Sequence, residues 1–280
     1  MNSVSREMLI RLISAAFVVL CLFGCEFARE NRNHQEIIRT DDLETIKSVC
    51  DEADSQTLVI FDMDNVLTEP TERAFQADLY PKIGKIVDQY REQVKKMSPP
   101  DQEKLKGAQW EIPVCLVDES MPLLIRSLQD RGIKVLMLTA NPHGRIANID
   151  SIENLCDARL LALGIDFGKS WHSVNVKRRF DTDLTIFYKG EIFTLESKEI
   201  ALKRFLEHIP EQKFQKIIFV DDKRKNLEKV KNLAEKLEMD FLGIEYFRVF
   251  TKNRPKTDFS LMKERFEQLK KVVSSKTKSL

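Results

Sequence analysis

Three short apolar runs end abruptly in polar residues: LVIF before Asp62, KVLML before Thr139 and KIIFV before Asp221. Each is continuous rather than alternating, the pattern of a strand covered on both faces, as in a parallel sheet. FLGIEY, from Phe241, reads as a fourth strand, and TIFYKGEIFT as a hairpin turning at Lys189-Gly190. Between these runs the period lengthens. SMPLLIRSLQDRG, from Ser120, has apolar residues at helical spacing and a glycine stop, and NLEKVKNLAEKLEMD, from Asn226, is amphipathic. Strand–helix–strand alternation predicts an α/β fold, a doubly wound parallel sheet. In such sheets ligands bind beyond the carboxyl ends of the strands. Asp62, Thr139, Asp221 and Asp222 all fall at such ends.

Two stretches interrupt the alternation. Residues 69–118 contain YPKIGKIVDQYREQVKKM and KGAQW, look helical, and follow the first run directly, as a cap insertion would. Residues 165–197 are more mixed and hold the hairpin. From Ser260 an amphipathic helix (Leu261, Met262, Phe266, Leu269, Val272, Val273) leads into a basic Ser/Lys tail, and reads as a docking helix. The expected organisation is therefore an N-terminal signal segment at 1–25 and a polar tether running into a helix at 26–54. A catalytic domain at 55–250 carries the cap, and a C-terminal helix and tail occupy 251–280.

Composition narrows the function classes. Of 280 residues, 45 are Lys or Arg and 44 Asp or Glu, a net charge of +1. No basic excess exists for holding nucleic acid by counterion release. With 17 Phe among many aliphatic residues, the chain is not of disordered type. The start departs from these averages. Arg6 and Arg11 precede twelve uncharged residues, Leu12–Phe23, too short for a bilayer core of about 30 Å but suited to an export signal. Leu22-Phe23-Gly24-Cys25 resembles a bacterial lipobox, in which the cysteine is acylated, although Phe23 is bulky for that pattern. An uncleaved signal anchor or a buried N-terminal helix are the alternatives. The expectation is an exported protein, periplasmic or anchored at Cys25, that touches membrane through this segment only. Cys50, Cys115 and Cys156 have no metal or redox spacing and read as buried hydrophobes. No oligomeric state follows from the sequence.

The chemistry lies in LVIFDMDNVLT, residues 58–68. Asp62 and Asp64, two apart at a strand end, can face one ligand, and strand-end logic adds Asp221-Asp222. Two carboxylates about 4 Å apart repel by roughly 4 kcal/mol at an effective dielectric near 20. Converging acids therefore need a cation or shifted pKa values. All-oxygen ligands without neighbouring His or Cys favour Mg²⁺ over zinc.

DMDNVLT, LMLTA and FVDDKRKN, in this order and strand context, resemble motifs I, II and IV of the haloacid dehalogenase superfamily over residues 55–245. The chain looks closest to exported, uncharacterised bacterial members. That resemblance implies a catalytic sheet with a cap and an Mg²⁺-dependent phosphatase. Asp62 would be the nucleophile forming an aspartyl-phosphate. Asp64 would be the general acid/base, its backbone carbonyl also on the metal. Thr139 would hydrogen-bond a phosphoryl oxygen, helped by backbone N–H groups at Ala140 and Asn141. Asp222 would ligate the metal with Asp62, Asp221 would ligate or hydrogen-bond nearby, and Asn226 stands where the pattern has a second acid. The motif III lysine, which neutralises nucleophile and phosphate, would be Lys198, with Lys189 and Lys203 as competitors.

Other polar residues read as structural. His143 belongs to an exposed loop, Lys223, Arg224 and Lys225 to a solvated helix start, and Trp110 to packing inside the cap. The expected function is hydrolysis of a small phosphomonoester. The alternatives are phosphotransfer to another acceptor and a protein of the same fold that docks a partner without turnover.

Overall fold

The computed structural model describes residues 34–172, 183–255 and 259–275. The export-signal and acylation readings at residues 1–25 lie outside them. Among the described residues, no helix is long and apolar enough to cross a membrane.

The core is a mostly parallel α/β sheet of seven strands. In chain order these are β1 (Gln35–Thr40), β2 (Thr57–Phe61), β5 (Lys134–Thr139), β6 (Thr185–Tyr188), β7 (Glu191–Thr194), β8 (Lys216–Asp221) and β9 (Asp240–Tyr246). Their order across the sheet is β1-β9-β8-β2-β5-β7-β6, all parallel except the final β6–β7 hairpin. Alternate residues of the continuous apolar runs feed opposite faces. Val59, Phe61, Val135, Met137, Ile218 and Val220 pack toward α1 (Leu43–Asp51), α4 (Met121–Asp130) and α5 (Ile152–Ala162). Leu58, Ile60, Leu136, Leu138, Ile217 and Phe219 pack toward α6 (Lys198–His208) and α7 (Arg224–Lys236). Both faces are covered, which is why these strands lack a polar side.

Strand β1 adds an ordered element to the reading of residues 26–54 as a tether running into a helix. QEIIRT pairs in parallel with β9, Gln35 opposite Phe241 through Thr40 opposite Tyr246. Its only apolar pair, Ile37-Ile38, is half-buried at the sheet edge. An edge strand needs little apolar content, so the pattern is faint. The hairpin turn, by contrast, has a strict stereochemical signature. Lys189 (φ 48°) and Gly190 (φ 84°) are both left-handed, as a two-residue turn of this twist requires. A Cβ on Gly190 would lie 2.6 Å from the Phe167 carbonyl oxygen.

Residues 69–118 rise from a two-stranded antiparallel stem, β3 (Thr68–Pro70) against β4 (Val114–Leu116). Above it stand α2 (Tyr80–Lys95) and α3 (Pro99–Trp110). The C-terminal residues do not form a separate appendage: α9 (Phe259–Ser275) packs onto this insertion, after the short α8 (Arg248–Thr251). Phe266 and Leu269 pack with Tyr90 and Leu105, and Met262 with Leu79, Ile83 and Val87. Ion pairs reinforce the junction. Buried Glu69 of β3 takes Lys252 and Arg254 (2.5 Å), and Arg265 grips Glu72 through two bonds of 2.6 and 2.7 Å.

Glu191 opens β7, is 1% exposed, and its Oε2 has no hydrogen-bond partner among the described residues. Burial first, then Asp157 and Asp166, hold its carboxyl well above the ordinary range, against the pull of Lys189. The folded chain therefore retains a proton that the unfolded chain has lost above about pH 4.5, and this group's contribution to stability falls as pH rises. Glu191→Gln removes that penalty. Chemical denaturation across pH should show the variant gaining on the wild type above the unfolded carboxyl pKa, by up to about 1.4 kcal/mol per pH unit.

Candidate active site

The site forms where β5, β2 and β8 end side by side. Asp62 is the first residue beyond β2, and its N–H donates to the Val220 carbonyl (2.9 Å), continuing the ladder to β8. Thr139 and Asp221 are the last residues of β5 and β8. All three are buried. Lys198, first residue of α6, reaches the same point. Its Nζ lies 2.7 Å from Asp62 Oδ1 and 2.6 Å from Asp221 Oδ2, with the ammonium 3% exposed. Burial alone would lower its pKa; Asp62 and Asp221 outweigh that and raise it.

Of the three candidate lysines, only Lys198 is at the cluster. Lys189 binds Asp157 at 2.6 Å beside the hairpin turn, and Lys203 lies exposed against Glu207. The local chain explains the difference. Ser197, in extended conformation, starts α6, so the next side chain is turned back onto the sheet, and Ala201, Leu202 and Phe205 anchor the buried face behind it.

The acids differ in environment. Asp221 is saturated: besides Lys198 it accepts from Asn226 Nδ2 (3.0 Å to each oxygen) and from the Lys223 N–H (2.8 Å). Asn226 thus serves as a clamp on Asp221. Asp62 Oδ1 takes the Met63 N–H (2.7 Å) as well as Lys198. Burial pushes the Asp62 carboxyl up, Lys198 pulls it back, and Asp221 and Asp64 push it up again, for a net rise. Asp222 is unfinished. Its Oδ2 accepts from Asn65 Nδ2 (3.1 Å), whereas Oδ1 is buried with no partner among the described residues. Burial raises its pKa, despite Lys223. Carboxylate oxygens of Asp62, Asp221 and Asp222 come within 4.8 Å of one another. An orphaned buried oxygen facing two further carboxylates suits a hard divalent cation with oxygen ligands. The Asp64 side chain is not in that group.

Asp64 instead lines an adjoining cavity, where its Oδ2 accepts from the Asn141 side chain at 2.9 Å. Asp64 is exposed, yet desolvation by the neighbouring protein raises its carboxyl, with Asn141, Lys198 and Lys223 opposing. Asn141 therefore enters through its amide side chain, while Ala140 is exposed at the strand end. His143 is half-buried rather than exposed and does not line the cavity. Trp110 is half-buried, packs against the main core and lines the cavity.

Two residues at the site escape a reading of strand ends. Asn65 sits in the left-handed region (φ 66°) in a turn closed by Asn65 N–H to Thr68 O (2.8 Å), a conformation asparagine tolerates. That conformation lets it reach across to Asp222. Arg159 of α5 lines the same cavity as Asp64 and donates to the Trp110 carbonyl at 2.5 Å. The order Asp-x-Asp-Asn offered a signal for Asn65; nothing local marked Arg159.

A parallel α/β sheet with lysine-bridged acids at its carboxyl edge, under a helical insertion, defines the class of protein. Residues 39–279 match the model of a family described as "protein of unknown function (DUF2608)", and the chain belongs to that family. It is 28% identical to the "Uncharacterized protein RP296" of Rickettsia prowazekii (strain Madrid E) over 220 residues, 72% of this chain and 74% of that protein. No solved structure matches the chain. These matches correct the assignment to the haloacid dehalogenase superfamily, to which neither points. Short motifs at strand ends report the needs of an acidic site, and such needs recur on unrelated lineages.

Two stability outcomes follow. Lys198→Met strands Asp62 and Asp221 as unpaired buried acids and should cost about 3–5 kcal/mol in urea unfolding. Lys203→Ala should stay within about 0.5 kcal/mol of wild type. In addition, Mg²⁺ at a hundred times its dissociation constant should stabilise the wild type by about 2.7 kcal/mol, and Asp222→Asn should abolish most of that gain in calorimetric melting.

Proposed function

We propose that this protein is a phosphomonoester hydrolase in which Asp62 accepts the phosphoryl group. The carrying observation is the buried Lys198 ammonium bridging Asp62 and Asp221, with a second acid, Asp64, opening onto the adjacent cavity. The ammonium offsets the repulsion between the close acids, and the spare Asp62 oxygen and the separate Asp64 carboxyl favour chemistry at the site over packing alone.

Each residue then has a definable task. Asp62 Oδ1 is held by Lys198 and the Met63 N–H, leaving Oδ2 to attack phosphorus. As the Oδ2–P bond forms, the bond from phosphorus to the ester oxygen breaks, and Asp64 gives its proton to that oxygen. The raised Asp64 carboxyl favours the protonated form required. Asp64, now ionised, takes a proton from water as the water oxygen bonds to phosphorus. The Asp62–phosphorus bond breaks and inorganic phosphate leaves. Lys198 offsets negative charge at both steps, and Thr139, buried at the end of the neighbouring strand, is the phosphoryl hydrogen-bond donor of this reading. Mg²⁺ bound by Asp62 and Asp222, with Asp221 behind them, would neutralise phosphoryl oxygen charge.

Phosphate release from p-nitrophenyl phosphate, with Mg²⁺ and with chelator, tests the proposal. Asp62→Asn should lose at least about a thousandfold in kcat, and an Asp62→Asn chain as active as wild type would sink it. Asp64→Asn should slow the second step, so that radiolabelled phosphate accumulates on the protein. Adding alcohols and looking for a phosphorylated alcohol separates hydrolysis from phosphotransfer.

A further inference from the structure

The cavity that begins at Asp64 is far larger than a phosphate. It measures about 630 Å³ and runs from the sheet edge into the helical insertion. That is the size range of sites for whole organic ligands. Asn141 and Arg159 line it together with Asp64, and the exposed side chains of Lys95, Lys106 and Gln109 reach it from the solvent side. The buried part of the wall is built by Phe75, Ile83, Val87, Tyr90, Leu105 and Phe266. These come from the insertion and from α9, so the C-terminal helix completes the cavity.

The chemistry of that wall selects its occupant. A sugar or nucleoside would set most of its hydroxyl and ring-nitrogen groups against buried methyl and phenyl surface, with few partners such as the Tyr90 hydroxyl to answer them, which opposes binding. An aliphatic chain meets no such opposition. The anionic end is equally specific. Arg159 donates to the Trp110 carbonyl, a neutral acceptor that leaves its charge unneutralised by that bond. Its half-buried guanidinium lines the cavity and is open to an anionic group there.

We propose that the substrate is the phosphomonoester of a long-chain aliphatic alcohol, its phosphate at Asp62 and its tail in the cavity of the insertion. This rests on the hydrolase reading for turnover, but the tail site stands on its own geometry. Whether the ester derives from a membrane lipid or a free long-chain alcohol, the recognised chemistry is the same.

The test uses non-hydrolysable ethyl-, butyl-, hexyl- and octylphosphonate, titrated calorimetrically into the full chain with Mg²⁺ below their micelle concentrations. Affinity should rise about fourfold per added methylene, and kcat/KM for the matching alkyl phosphates should rise in parallel. Equal affinities along the series would overturn the tail site, even if p-nitrophenyl phosphate is hydrolysed. A rising series with no phosphate released from any ester would uphold the tail site and remove the hydrolase reading. Ala74→Phe narrows the cavity, which Ala74 lines, and should end the increase at a shorter chain. A variant with unaltered circular dichroism melting and the full wild-type gradient would overturn the location.

Discussion

The buried ammonium of Lys198 is the contact on which the site depends. It sits between Asp62 and Asp221, which end adjacent strands β2 and β8, while Lys198 itself begins α6 on one face of the sheet. A cation at a helix N-terminus works against the helix dipole, and burying it costs several kcal/mol. Neither cost is met locally. Two carboxylates from elsewhere in the sequence meet it, and in turn they are tolerable side by side because the ammonium lies between them. Sheet register, the start of α6 and the charge of the pocket are one arrangement, and no member can be removed without exposing the others to an uncompensated field.

The insertion is joined to that sheet by a comparable device. Glu69 on the stem is almost fully buried and is answered by Lys252 and Arg254, residues that follow the last sheet strand. Arg254 also reaches Gln76 (2.8 Å) and Asp78 (3.4 Å), and Arg73 holds Asp78 through two bonds of 2.5 and 2.6 Å. The stem, the turns above it and the C-terminal segment are thus one polar junction. Apolar packing of Phe266 between Phe75 (5.3 Å) and Tyr90 (4.8 Å) continues it into the cavity wall. The chain leaves the sheet at β9 and returns to close the insertion made after β2, so cavity and sheet cannot separate without breaking buried ion pairs.

How much of this could be read from the residues depended on range. Asp62, Thr139 and Asp221 were legible because a run of buried residues stopping at a polar one marks a strand end, and strand ends converge in parallel sheets. Lys198 was legible only as one of three lysines; what distinguishes it is the buried face of α6 carrying Ala201, Leu202 and Phe205 behind it. Strand β1 was missed since an edge strand with one apolar pair satisfies its backbone through β9 without announcing itself in composition. Arg159 and the joining of α9 to the insertion arise from contacts across 49 and more than 160 residues of sequence, Arg159 to Trp110 and Phe266 to Leu105. The family assignment failed for a related reason: motif order carries chemistry, whereas lineage is spread over the 241 residues from 39 to 279.

The four acids are not equivalent, and their hydrogen bonds say why. Asp221 receives Lys198, both bonds from Asn226 and a backbone N–H, which leaves its oxygens committed to the protein. An acid at position 226 would face that anion with a further negative charge, whereas the amide supplies donors to it. Asp221 therefore acts as the fixed counter-charge that keeps Lys198 in position. Asp62 shares that lysine but has an oxygen to spare, Asp222 keeps a buried oxygen without a donor among the described residues, and Asp64 is restrained by one amide at the cavity wall. Moving outward from the sheet, the acids pass from fully satisfied to progressively less so. Of the four, Asp64 is the acid that lines the cavity, so the cavity meets the cluster through a carboxylate restrained by a single side-chain amide.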